Sequence, residues 1–173
     1  MVRVPFQPIG SAKNWEVFRN LTYRVGTSQD SIVVPAGFVT DFASIPQAFQ
    51  SLISPFGPYL LPSVVHDYLY WEQGCSRRQA DRIFLLAMGE MQVPAAQRDA
   101  MYQAVARAGG RAWRQNARDR AIGLPRHMPT SGVRGPGPLE QWPDYRRFLK
   151  QQGVQPLPKV PVSQAFCAHG GPR

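Results

Sequence analysis

The stretch Ser63-Val-Val-His66-Asp67-Tyr68-Leu69-Tyr70-Trp71, followed after a short break by Ser76-Arg-Arg-Gln79-Ala80-Asp81-Arg-Ile-Phe84, decides how this chain folds. Val64, Val65, Leu69 and Trp71 make the first segment apolar over much of a helical circumference, and Pro62 stands where a first turn tolerates it. Gly74 is predicted to end that helix. Ser76 and Gln79 have the spacing of a capping box, and Ile83, Phe84, Leu86, Ala87 and Met91 continue a second helical pattern. A break this short makes the two helices antiparallel neighbours.

The polar residues in this pair are chemically specific. His66 and Tyr70 share a helix face, and Asp67 is rotated from them by about 100°. The returning helix brings Asp81 alongside the middle of the first, across an axial separation of roughly 8 to 10 Å that His and Asp side chains bridge. A carboxylate on one imidazole nitrogen fixes the tautomer and lets the other take a proton from water. Asp67 then stands ready for a hard cation that polarises a carbonyl. The plainer reading is a satisfied polar pair, His66 with Asp67, holding two helices together, with Tyr70 a core aromatic. Asp81 lies too deep in its helix to be a cap, which favours a specific partner, His66.

Upstream, Trp15, Val17, Leu21, Tyr23 and Val25 alternate, and Ile32 to Val34 resume beyond the polar Gly26-Thr-Ser-Gln-Asp30 turn. Two or three short strands with hairpin connections are expected over about residues 15–43. Asp41 and Ser44, ahead of Pro46, form either a polar turn with a helix cap or part of a site. Downstream, Pro94 opens a third helix. Gly109-Gly110 interrupts it before an arginine-rich helix around Trp113.

These elements predict an α+β fold: a small N-terminal antiparallel sheet packed on a bundle of three or four helices spanning about residues 60–121. Residues 1–123 form the single domain. After Gly123 the composition turns to Pro and Gly, so residues 124–173 read as an irregular extended arm or linker, with a short helix at residues 144–152.

Composition sets the setting. The 173 residues suffice for one core, and 43% hydrophobic and 11% aromatic content suits a globular domain. A net charge of +9 favours anionic partners: a lipid surface, nucleic acid or an acidic protein. Arg107, Arg111, Arg114, Arg118 and Arg120, with Trp113 among them, are either a phosphate-contacting surface or a solvated helix face. Cys75 and Cys167 are too few and too distant for a disulfide framework; Cys75 reads as a turn cysteine. Neither a signal sequence nor a membrane span of about 20 apolar residues is apparent, so host cytoplasm or virion is expected. A His…His-Asp…Asp phosphohydrolase needs a histidine before His66, and His-Glu-x-x-His peptidase spacing is absent.

At His66-Asp67-x-x-Tyr70 and Ala80-Asp81-Arg-Ile-Phe84, over about residues 60–91, the chain resembles phospholipase A2. The resemblance implies that His66 is the general base, Asp81 orients it, Tyr70 supports the pair and Asp67 ligates a divalent cation, calcium. The chain departs from that pattern at Ser54-Pro-Phe-Gly57-Pro-Tyr59, which lacks a glycine-rich calcium loop, and at Val65 and Tyr68, where the family has cysteines. Asp41 would have to supply a missing oxygen ligand. The blocks Phe38-Val-Thr-Asp41-Phe-Ala-Ser44-Ile-Pro46, His66-Asp-Tyr-Leu-Tyr70 and Ser76-x-x-x-Ala80-Asp-x-x-Phe84 also resemble small phage and prophage proteins of unassigned function, over about residues 15–115. Two functions follow as expectations. One is a phage-associated, metal-assisted hydrolase acting on an acyl ester at an anionic lipid surface. The other is a non-enzymatic virion or tail assembly protein whose C-terminal arm binds a neighbouring phage structural protein. An adaptor binding nucleic-acid machinery through the basic face is a third.

Overall fold

The computed structural model describes residues 6–10, 14–42, 57–159 and 165–172. The fold is α+β. Five short strands come first: β1 (Phe6–Ile9), β2 (Asn14–Val17), β3 (Leu21–Arg24), β4 (Ser31–Val34) and β5 (Val39–Thr40). They form an antiparallel sheet in the order β1-β2-β5 and a separate β3-β4 hairpin, with Leu21 opposite Val34 and Arg24 opposite Ser31. The alternation of residues 21–34 works as expected. Leu21, Tyr23, Ile32 and Val34 turn inward while Thr22, Arg24, Ser31 and Val33 face out. The sequence pattern missed β1, because Pro8 interrupts it. Proline removes a ladder donor, and β1 is an edge strand, where that loss is tolerated.

The helices are α1 (Leu60–Glu72), α2 (Arg77–Glu90), α3 (Ala95–Ala108), α4 (Gly110–Ala121) and α5 (Trp142–Gln151). Helix α1 is buried from Pro62 through Glu72, so it is the central element and not an amphipathic cover. Its apolar side chains meet those of the β3-β4 hairpin in one core that includes Val25, Phe38, Val64, Leu69 and Trp71. The helix ends one residue before the predicted Gly74: Gln73 takes the left-handed conformation, with φ +56°, and its side-chain Nε2 donates to the Trp113 carbonyl at 2.8 Å. That hydrogen bond holds a non-glycine residue where glycine is the usual choice. The capping box on α2 forms as expected, with Ser76 and Gln79 each accepting from the other's backbone N–H.

The segment after residue 123 does not run as an extended arm. His127 bridges to Phe38, the Val39 N–H donates to the Arg126 carbonyl at 3.0 Å, and the Met128 N–H donates to the Gly37 carbonyl at 2.7 Å. Helix α5 then buries Trp142, Tyr145 and Leu149 against Ile9 and Val39, closing the open face of the β1-β2-β5 sheet. The i, i+3, i+7 spacing of those three residues is an apolar stripe that needs a partner. It begins at Trp142, two residues ahead of the helix start read from sequence.

A 3₁₀ turn at Ala165–Gly170 docks on α2 through a disulfide between Cys75 and Cys167, which overturns the reading of Cys75 as a turn cysteine. Separation by 92 positions hid the pair. In the chain-entropy description, closing a loop of that length restricts the unfolded chain by roughly 4 to 5 kcal/mol. Disulfides generally form and persist in oxidising surroundings. No described helix is long and apolar enough to cross a membrane.

Candidate active site

Helix α1 turns His66 and Tyr70 toward α2, and α2 returns Asp81 between them. The His66 Nε2 lies 2.9 Å from the Asp81 Oδ1, and the Tyr70 hydroxyl donates to the same oxygen at 2.5 Å. Arg77, one turn before Asp81, donates from Nη1 to the other carboxylate oxygen at 2.9 Å and to the carbonyls of Val105 and Ala106. An anionic acceptor at Nε2 assigns the proton to that nitrogen and makes Nδ1 the basic one. The ring packs at a tilt against Tyr70, at 4.2 Å between centroids, and Phe84, at 4.7 Å, and these contacts restrict its orientation. Burial, then the hydrogen bond to Asp81, raises the Tyr70 phenol above its ordinary pKa and keeps it a neutral donor.

Tyr70 needs room on its far side. Trp113 stands edge-on to it at 5.1 Å, and a β-carbon on Gly109 would come within 2.2 Å of its hydroxyl. The α3-α4 break therefore falls where the phenol presses on backbone. Only glycine leaves that space.

These groups border a cleft of about 480 Å³. His66, Asp67, Tyr70 and Gly109 line it together with Asn116, Asp119, Arg126, Trp142 and Arg146. His66 is only 2% exposed, yet its side chain reaches this cleft. That combination of a desolvated, oriented imidazole and an adjoining cavity is what general-base chemistry requires.

Asp67 and Asp41 line the same cleft. The Asp67 Oδ2 accepts from the Thr40 hydroxyl at 2.6 Å. Burial, and next the nearby Asp41 charge, raise the Asp67 carboxyl above the usual carboxylate range. Asp41 is ion-paired instead: Arg126 Nη2 lies 3.2 Å from its Oδ1. The same guanidinium donates from Nε to the Val39 carbonyl at 3.0 Å and from Nη1 to the Asn116 Oδ1 at 2.9 Å. Asn116 passes the connection on, donating to the Tyr70 carbonyl at 3.2 Å.

The two carboxylates do not fit the calcium ion that the phospholipase A2 resemblance implies. Calcium takes about six to eight oxygen ligands. Here Asp41 is already paired with a guanidinium, and an oxygen of Asp67 accepts from the Thr40 hydroxyl. Among the described residues no three His, Cys, Asp or Glu side chains gather as a metal would need. Ser44 and Ser54 to Phe56, part of the loops considered for the ion, lie outside the described residues.

Sequence reasoning missed Arg77, Asn116, Arg126 and Arg146. Arg77 had a signal, its i, i+4 spacing from Asp81. The others come from distant segments and had none. Of the basic row, Arg107, Arg111, Arg114 and Arg118 are exposed, whereas Arg120 pairs with Glu72 at 3.1 Å and packs over Trp71.

A family model described as "Protein of unknown function (DUF1353)" matches residues 15–105. The chain belongs to this family. The DUF1353 match holds His66, Asp67, Tyr70, Arg77 and Asp81, and it stops before Asn116, Arg126, Trp142 and Arg146. The "Uncharacterized protein y4jT" of Sinorhizobium fredii (strain NBRC 101917 / NGR234) is 44% identical over 78 residues, which is 44% of this chain and 23% of that protein. The chain thus aligns with less than a quarter of that relative's length. No solved structure matches.

Proposed function

We propose that this DUF1353 protein is a phage-associated hydrolase of phospholipase A2 type, in which His66 activates a water molecule against an acyl ester. The observation that carries the reading is the His66–Asp81 contact at 2.9 Å on the border of an open cleft. Asp81 holds the imidazole in the tautomer with Nδ1 basic, and Tyr70 and Arg77 hold Asp81. Nδ1 takes a proton from water as the water oxygen attacks the acyl carbon. The imidazolium then returns that proton to the leaving alcohol. Asp67 and Asp41, expected to hold the ion, are given no step. A lipid substrate is supported by the phospholipase A2 resemblance and by the exposed arginines on α3 and α4, which suit an anionic bilayer. The phage association rests on the three sequence blocks.

The assembly-protein reading drew its strength from a long arm, and within residues 124–159 Trp142, Tyr145 and Leu149 pack on the protein's own Ile9 and Val39. The test is fatty-acid release from phosphatidylglycerol vesicles by the wild type and by His66→Ala. A loss of about 100-fold or more in the variant, with its circular dichroism unchanged, is expected. Equal background rates would return the cluster to a structural role.

A further inference from the structure

We infer that the Arg126 guanidinium, and not a divalent cation, is the positive charge that receives the developing oxyanion in this cleft. The inference rests on the hydrolase reading and adds a catalytic residue from outside the family match. Acyl transfer needs donors fixed in advance where the carbonyl oxygen gains charge. Arg126 meets that need in three ways. Its side chain is 11% exposed and lines the same cleft as His66. It is anchored at three nitrogens at once, to the Val39 carbonyl, Asn116 and Asp41. A guanidinium has five N–H donors, so two remain beyond those three bonds. Phe38 lies under the plane, 5.8 Å from Cζ, and limits its movement.

The same geometry explains the poor fit to calcium. The guanidinium already pairs with Asp41, where a bridging ion would otherwise be drawn. In the reaction, His66 takes a proton from water as the new C–O bond forms, and the carbonyl electron pair moves to the oxygen facing Arg126. Collapse of the tetrahedral species breaks the bond to the alcohol, which takes the proton from His66. Water is the only co-reactant, and nothing is oxidised or reduced.

The experiment measures hydrolysis of p-nitrophenyl fatty-acyl esters and of phosphatidylglycerol vesicles by the full chain, with EDTA or with millimolar calcium. Wild type, His66→Ala, Arg126→Gln and Arg126→Lys are compared, together with a calorimetric calcium titration of the wild type. Expected are equal wild-type rates in both buffers, no calcium heat, and a loss of about 100-fold or more in kcat for Arg126→Gln. Added methylguanidinium restores part of that loss, which a purely structural role would not allow. Arg126→Lys keeps a charge but not the planar fork, and is expected to lose kcat with KM little changed. It replaces Arg126→Gln if that variant does not fold. A calcium requirement, or a folded Arg126 variant as fast as wild type, overturns the inference and leaves the hydrolase reading standing. No hydrolysis by the wild type in either buffer overturns both.

Discussion

One wall of the site is built on α1 and α2, neighbours in sequence: His66 and Tyr70 line the cleft, and Asp81, 15 positions after His66, bonds to both. The second wall gathers Asn116 from α4, Arg126 from the following loop, and Trp142 and Arg146 from α5. The first is assembled by a short turn and a capping box, so its geometry follows from local structure. The second depends on a segment that must fold back across the sheet. It is held by bonds between residues as far apart as Val39 and Arg126. The family match covers the first wall and not the second. A locally built wall suits chemistry that tolerates little displacement, and a returning segment can add groups, the charge of Arg126 and the apolar face of Trp142 among them, without moving the dyad.

Substitutions on the two walls should therefore fail differently. The largest effect is expected for Asp81→Ala. It strands Tyr70 and Arg77 with His66 around an emptied buried site, at about 3 to 5 kcal/mol, read as a shift in the urea midpoint. A change under about 1 kcal/mol would mean that Asp81 organises nothing. On the second wall, Trp142→Ala should cost about 3 kcal/mol, because Trp142 is 8% exposed and caps the core beneath α5. Its kinetic signature should be a raised KM with kcat largely kept. A fall in kcat alone would place Trp142 with Arg126 among the groups that act on the reaction and not on substrate binding.

The smallest effect concerns Asp67, where the two walls meet. Its raised pKa means that the folded protein holds the proton more tightly than the unfolded chain does. The stability this confers is complete below the unfolded carboxylate pKa and is lost as pH rises through the folded value. Asp67→Asn is permanently neutral and should flatten that slope, leaving the variant more stable than wild type near pH 7. Parallel urea midpoints across pH 4 to 8 would contradict it.

The unequal legibility of the walls has the same physical cause. Val64 to Trp71, the Ser76–Gln79 box and the i, i+4 relation of His66 to Tyr70 are short-range signals, and they gave the antiparallel pair and the position of Asp81. Arg126 and Cys167 act on partners 85 and 92 positions away, and no spacing rule reaches that far. The stripe Trp142, Tyr145, Leu149 was visible in principle. The surrounding prolines and glycines suggested an arm, yet those residues only turn the chain so that α5 lands on Ile9 and Val39. Asp41 and Asp67 line one cleft, but the guanidinium that pairs with Asp41 could not be read from sequence.

The most direct measurement is a double-mutant cycle in hydrolysis rate across His66 and Asp81, using His66→Ala, Asp81→Asn and the double variant, each checked by circular dichroism. If Asp81 acts only through His66, the double variant should be no slower than His66→Ala alone, with both at least about 100-fold below wild type. Losses that multiply, or an Asp81→Asn variant that folds and hydrolyses at the wild-type rate, would contradict a working dyad.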